Sequence, residues 1–363
     1  MKLFPTKYDE ILGKVDSIQP IKYASTRNYK NGNVTKLSPY ISRGVISTRF
    51  IYEKLVENGI NLKKCEKFIQ ELAWRDFWQQ IWVSKGSLIN KDLKRPQEDV
   101  NDFKISKSLV EAKTGINSVD EEISNLYENG YMHNHMRMYV ASIATNIAKS
   151  HWKIPAKWMY YHLLDGDWAS NALSWQWVAG SNSNKKYYAN QDNINKYFNS
   201  NQKNTFLDNS YEFISSMNIP NEVQEKFELE LNSNLQNNKE ISINNSLPTL
   251  IYNYYNIDPS WRKNEKVNRV LIFEPKVFNQ YPVSQKCIDF SLNLSKNISD
   301  IQIFYGNFEE LCSKYNLSNI IFKEHPLNKH YSGLEDERDW LFKIEGEYLS
   351  FFKYWNKIRK KLI

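Results

Sequence analysis

The chain has 363 residues, 41% hydrophobic and 25% charged, an ordinary balance for a soluble globular protein and long enough for two domains with a sizeable core. Its net charge of +7 is compatible with nucleic acid or an anionic membrane surface, and the excess is too modest to weigh alone. Its three cysteines, Cys65, Cys287 and Cys312, are too far apart for a disulfide framework or a zinc site, no apolar run is long enough to span a membrane, and residues 1–9 lack a signal core, so a cytoplasmic protein is expected.

Residues 1–190 read as mainly helical. Apolar residues recur at helical spacing over 49–57 and 66–83, and again over 118–127 and 137–149. After Asn190 the composition shifts to Asn, Ser and Lys up to about Lys266, which reads as a linker that is helical in part, over 222–231. The pattern then changes again. Strand candidates at 267–274, 301–305 and 319–322 alternate with helical stretches at 284–294 and 307–315, which implies βαβ units and a small parallel sheet. The tail, 337–361, reads as one aromatic-rich helix with a basic end.

Four segments carry side chains suited to chemistry. The first, Asn33-Val-Thr-Lys-Leu-Ser-Pro-Tyr40, places two hydroxyls and a cation just ahead of a helix start, which suits a phosphate as well as it suits an ordinary N-cap. The second, Glu71-Leu-Ala-Trp-Arg-Asp-Phe-Trp78, sets Glu71, Trp74 and Trp78 on one helix face with Arg75 one turn beyond Glu71. A stripe of this kind is more often core, and the Glu–Arg pair more often a solvated one. The third is Gly130-Tyr-Met-His-Asn-His-Met-Arg-Met138; its two histidines lack a neighbouring Cys or carboxylate set, so no metal is expected. The fourth, Asp165-Gly-Asp-Trp-Ala-Ser-Asn-Ala-Leu-Ser-Trp-Gln-Trp177, opens with only a fragment of a calcium loop, and Asn171 is followed by two indoles, Trp175 and Trp177.

In this order and spacing, with Thr114-Gly115 and Asp120 between the second and third segments, these motifs resemble the FAD-binding domain of DNA photolyases and cryptochromes over residues 23–180. The resemblance implies a mainly α protein. An all-helical FAD-binding domain (1–200) precedes an Asn-rich, partly helical linker (201–266) and a small Rossmann-like α/β domain with a C-terminal helix (267–363). Family members usually begin with the α/β domain, so the order is reversed here.

By the same resemblance, Tyr23, Thr35, Lys36, Leu37 and Ser38 hold the pyrophosphate end of FAD, with Val34 where a threonine is common. Arg75, Arg137, Asp165 and Asp167 lie on the cofactor side. Asn171 faces the flavin N5, and an amide there is typical of photolyases. Trp175 and Trp152 match the first two members of an electron-relay chain. The distal position falls near Asp99, and Trp158 or a tyrosine is the candidate replacement. Glu71, Asn134 and Met138 match lesion-side residues, and Trp74 and Trp177 match the walls of a pocket for a flipped pyrimidine dimer. Beyond Trp177 the resemblance fades into a segment whose Lys185 and Lys186 suit either DNA phosphates or a basic surface loop. The expectation is a monomeric, light-driven lyase that splits cyclobutane pyrimidine dimers in UV-damaged DNA with reduced FAD. The alternative is a cryptochrome-like blue-light photoreceptor without repair activity.

Overall fold

The computed structural model describes residues 3–236, 240–344, 346–348 and 350–362. The chain forms two compact units, one from residues 1–18, 35–84 and 232–363, the other from 19–34 and 85–231. The expected divisions at 200 and 266 coincide with neither. The reason lies in where the early helices find apolar partners. Phe77, on the helix Glu66–Lys85, packs its ring against Phe351 and Tyr354, and Tyr40 packs against Phe290.

The first unit contains a five-stranded sheet: β1 (Thr249–Tyr252), β2 (Asn268–Phe273), β3 (Ile301–Tyr305), β4 (Ile320–Lys323) and β5 (Leu334–Asp336). All neighbours are parallel, in the order β3-β2-β1-β4-β5. Every residue of β1 and β2 is buried, as expected for central strands of a parallel sheet covered on both faces. Alternation along the strands sends Ile251, Val270, Ile272, Phe304, Ile320 and Phe322 into one core cluster with Phe308 and Leu311 of the helix Phe308–Tyr315. At the start of that helix the Asn307 N–H donates to the Glu310 carboxylate at 2.9 Å.

In this unit β1, β5 and the tail depart from the sequence reading, β5 because no strand is expected at 334–336. Strand β1 lies inside the expected linker, because four buried residues are outweighed there by the surrounding Asn and Ser. The tail is not one helix over 337–361, of which residues 345 and 349 lie outside the described set. Its helix is Phe351–Arg359. Residues just after β5 are drawn into other partnerships: Arg338 donates to Glu324 and Gln79, and the Leu341 N–H donates to Asp76.

The second unit is helical. Its principal helices are Asn117–Asn129, Asn134–Ser142, Lys153–His162, Trp168–Ala179 and Gln191–Phe198. A π-helical turn, Ile143–Ile147, follows the second of these. The expected helix over 222–231 shrinks to Asn221–Gln224, after which Lys226–Phe227 pairs antiparallel with Ile105–Ser106.

Candidate functional site

The residues singled out by sequence fall in both units. In the first, Thr35, Lys36 and Ser38 are half-buried and Leu37 is buried. Lys36 takes a left-handed conformation (φ 53°), uncommon for a residue with a Cβ, and the Leu37 N–H donates to Thr35 Oγ1 at 3.3 Å. This turn leads into the short helix Ser38–Ser42, with Pro39 in its first turn.

On the helix Glu66–Lys85, Glu71 pairs with Lys67 at 2.9 Å, one turn back. Arg75 Nη1 donates to the buried Ser42 Oγ at 3.2 Å. Trp74 lies within an aromatic cluster. Its ring stacks on Phe351 with centroids 3.6 Å apart and planes at 9°, and Trp78 sits 5.1 Å away. One face of the expected lesion-side indole is therefore covered by the C-terminal helix. Asp76 is buried and accepts from the Thr48 hydroxyl at 2.9 Å and from the Leu341 N–H at 2.6 Å. Loss of hydration raises its carboxyl to about 6.

In the second unit the Asp-Gly-Asp segment forms a tight turn. A Cβ at Gly166 would stand 2.9 Å from the Leu163 carbonyl oxygen and 3.1 Å from that of Tyr160, so only glycine fits. Asp165 is buried and accepts from Arg137 Nη2 on both oxygens, at 3.0 and 2.9 Å. The Arg137 Nε donates to the Met132 carbonyl at 2.9 Å, which fixes the plane of the guanidinium. Asp167 caps the helix Trp168–Ala179 by accepting the Ser170 N–H at 2.7 Å.

Asn171 follows in the first turns of that helix, and its Nδ2 donates to the Ala156 carbonyl at 2.8 Å. A carbonyl can only accept, so this bond fixes which way the amide points and leaves Oδ1 as its acceptor end. Oδ1 has no hydrogen-bond partner among the described residues.

Trp175 and Trp152 are both buried. The Trp152 indole N–H donates to Asp92 Oδ1 at 2.7 Å, and the neighbouring His151 stacks on the exposed Phe103. Trp158, the candidate third relay member, donates its indole N–H to the Tyr127 hydroxyl. Trp177 is 39% exposed and has Tyr187 at 5.9 Å. Asn134 is exposed; Met138 and Tyr23 are half-buried. Lys185 is exposed, whereas Lys186 is turned inward onto Asp99 at 2.6 Å and the Glu98 carbonyl. The two histidines of the third segment act locally: His133 Nδ1 accepts the His135 N–H, and His135 Nδ1 bonds the Asn28 carbonyl oxygen.

Three supporting residues escaped the sequence reading. Asp92 anchors Trp152. Gln176, fully buried, ties the Trp168–Ala179 helix to Leu93 and Ile89. Asn146, on the π-helical turn, donates to the Val178 and Tyr187 carbonyls and so holds the segment after Trp177. Asn146 alone left a signal, as the only amide in residues 139–148.

No helix among the described residues is long and apolar enough to cross a membrane. The chain is 30% identical over 161 residues to the deoxyribodipyrimidine photo-lyase of Alkalihalophilus pseudofirmus, a match covering 43% of this chain and 34% of that protein. It is 31% identical over 201 residues to the cryptochrome DASH of Danio rerio, covering 53% and 37%. The chain thus spans about a third of the length of these curated relatives. The crystal structure of a Synechocystis cryptochrome aligns over 54% of this chain and 44% of its own, with a TM-score of 0.48 and 23% identity. The family model for the FAD binding domain of DNA photolyase matches residues 68–254, just over half of the chain. That range takes in the second, third and fourth segments and leaves Tyr23 and the 35–38 turn outside it. With the helical cradle around Asn171 and the acid pair of Asp165 and Asp167, the match establishes that this chain belongs to the photolyase and cryptochrome family of FAD-binding proteins.

Proposed function

We propose that the protein is a light-driven lyase that splits cyclobutane pyrimidine dimers in UV-damaged DNA, in the manner that the names of its photo-lyase relatives describe. The observation that carries this reading is the amide of Asn171. Its Nδ2 is engaged by the Ala156 carbonyl, so Oδ1 is presented as an acceptor. An acceptor favours a partner that bears a proton, which is the state of a reduced flavin at N5.

Bound FAD in its reduced form supplies a light-activated one-electron donor, and the protein's task is to bind, orient and shield it. Asp165 and Arg137 form a rigid, mutually neutralised pair, with Arg137 fixed through the Met132 carbonyl. Asp167 holds the helix start that carries Asn171 in place. Tyr23, Thr35, Lys36, Leu37, Ser38 and Arg75 keep the cofactor-side roles that the family resemblance gives them. The residues present thus fit FAD: an acid–guanidinium pair, an oriented amide and buried indoles at 152 and 175. On the substrate side, Trp177 offers an exposed indole face on which a flipped base can stack, with Asn134 and Met138 of the same unit as lesion-side groups, while Glu71, in the other unit, keeps only the role that the family resemblance gives it. Trp74 has one ring face taken by Phe351, which leaves only the other for a base.

A cryptochrome-like photoreceptor without repair is the second reading. It is favoured by the covered face of Trp74 and by the pairing of Lys186 with Asp99. Illumination of the reduced, purified protein with a dimer-containing oligonucleotide decides between them. Repair requires light-dependent loss of dimers and tighter binding of the damaged strand. Equal affinity for damaged and undamaged strands, with no loss of dimers, establishes the photoreceptor reading.

A further inference from the structure

The helix Phe351–Arg359 has two unlike faces. Phe351, Tyr354, Trp355 and Ile358 are buried, with Phe351 and Tyr354 against Phe77 of the helix Glu66–Lys85. The opposite face is exposed and carries Lys353 and Lys357, with Lys360 just past the last turn. An α-helical repeat sets these three within an arc of about 60° and along about 10 Å of the axis. Residues 350–363 hold five cations and no acid, so most of the chain's net +7 sits here.

Little of this charge is spent within the protein. Arg359 pairs with Glu66 at 2.9 Å, and Lys361 Nζ donates to the Lys343 carbonyl at 3.0 Å. The ammonium groups of Lys353, Lys357 and Lys360 have no partner among the described residues. The bond to Glu66 also brings the end of the helix beside the turn before Glu66, where Lys63 and Lys64 are exposed and likewise unpaired among the described residues. Helix stability does not account for the pattern. A cation gains from the macrodipole near a helix C-terminus, which suits Lys357 and Arg359, but Lys353 stands in the first turn, where a cation is disfavoured. Lys353 and Lys357 are moreover like charges at i, i+4, which oppose each other. Local rules broken on an exposed face point to a partner that supplies the missing negative charge.

A lipid surface does not match this face. An interfacial helix lends its apolar side to the acyl boundary, and here that side is packed on Trp74 and Phe77. The large apolar side chain left outside is Phe352, 65% exposed, on the flank of the lysine row. A row of ammonium groups beside one exposed ring suits a single strand of nucleic acid, its phosphates on the cations and a base on the ring.

We propose that the exposed face of the helix Phe351–Arg359 is a single-strand contact, indifferent to sequence and to damage, in which Lys353, Lys357 and Lys360 meet phosphates and Phe352 stacks on a base. It lies in the first unit and goes beyond the lesion reading, which rests on Asn171 and Trp177 of the second.

The test uses the full chain with its flavin bound, in the dark, and an undamaged labelled oligothymidine titrated between about 50 and 200 mM salt. The parent is compared with the triple variant Lys353→Ala, Lys357→Ala, Lys360→Ala and with Phe352→Ala. All four positions are exposed, so both variants are expected to melt with the parent. The triple variant is expected to lower the slope of log affinity against log salt by about two, as three single-strand phosphate contacts require. Phe352→Ala is expected to weaken binding roughly tenfold with the slope unchanged. The parent is expected to prefer oligothymidine to poly-glutamate and to phosphatidylserine vesicles. A triple variant with the parent's slope and affinity overturns the proposal. So does equal binding of poly-glutamate, or a preference for the vesicles, either of which makes the face a general anion or lipid contact. Neither light nor a dimer enters the measurement, so its failure leaves the repair reading standing, and absence of repair leaves this surface standing.

Discussion

Three side chains concentrate the chemistry proposed for the helical unit. Asn171 presents an acceptor because Ala156 holds its other end, so under the proposed repair function its replacement by Ala removes the hydrogen bond that Oδ1 would make to the cofactor without creating a buried charge. The rate of light-driven dimer splitting by Asn171→Ala is expected to fall by roughly tenfold, with flavin content little changed. A rate equal to that of the parent removes the central observation of the repair reading. Arg137 and Asp165 behave differently, because they are a pair. The Asp165 side chain is 5% exposed, and Arg137→Met leaves its carboxylate buried without its cation. That loss is expected to destabilise the protein by about 3 kcal/mol in urea unfolding. The double variant Arg137→Met, Asp165→Asn, which removes both charges, is expected to recover part of it. Equal destabilisation in single and double variants would show that the pair's charges are not the cause.

Among the elements, the Glu66–Lys85 helix shows most clearly what periodicity conveys and what it hides. Its buried stripe of Phe68, Leu72 and Phe77 was legible from spacing, and so was the turn-to-turn neighbourhood of Glu71 and Arg75. Asp76 was not, because nothing local marks a carboxylate that will be buried beneath Thr48 and the backbone of Leu341, 265 positions away. Its titration tests that burial. The group titrates at about 6 in the folded protein, against 3.8 for an ordinary exposed aspartate. Between those values the folded state holds the proton and the unfolded chain does not. The stabilisation is therefore complete below about pH 4 and is lost as the pH rises through 6. About two pKa units correspond to about 3 kcal/mol. Asp76→Asn is expected to flatten the stability profile between pH 4 and 7 by that order, and a profile parallel to the parent's contradicts the burial. Strand β1 and the tail were misread for the same kind of reason. Four apolar-rich residues after Asn244-Asn-Ser become a central strand only because β2 and β4 flank them. The helical pattern of 337–361 yields wherever Glu324, Gln79 and Asp76 offer its residues better partners.

For the molecule as a whole, the family was legible because its motifs are contiguous runs whose spacing survives any rearrangement of the segments between them. The assembly was not: residues 35–84 belong with 232–363, and no local pattern announces a partner about 150 or more residues away. Charge is the other property of the whole. A net +7 spread over 48 basic and 41 acidic residues is not a dedicated DNA track, so the DNA binding proposed above would depend on which cations are available to phosphate. Lys185 is exposed, whereas the Lys186 ammonium is held by Asp99 with its side chain only 14% exposed. Removing one phosphate-binding cation reduces the salt slope of binding by about one. Lys185→Ala is therefore expected to weaken binding equally to damaged and undamaged strands and to flatten the dependence of log affinity on log salt by about that amount. Lys186→Ala is expected to leave that slope unchanged, because its charge serves Asp99. Trp177→Ala acts on the other component: stacking does not depend on salt, so the slope persists while the preference for the dimer-containing strand falls by about 1–3 kcal/mol. Binding measured between about 50 and 200 mM salt separates the three. If Lys185→Ala shifts damaged-strand preference and Trp177→Ala shifts only the slope, the division of labour between the exposed cation and the exposed indole is reversed, and the segment after Trp177, not the indole, reads the lesion.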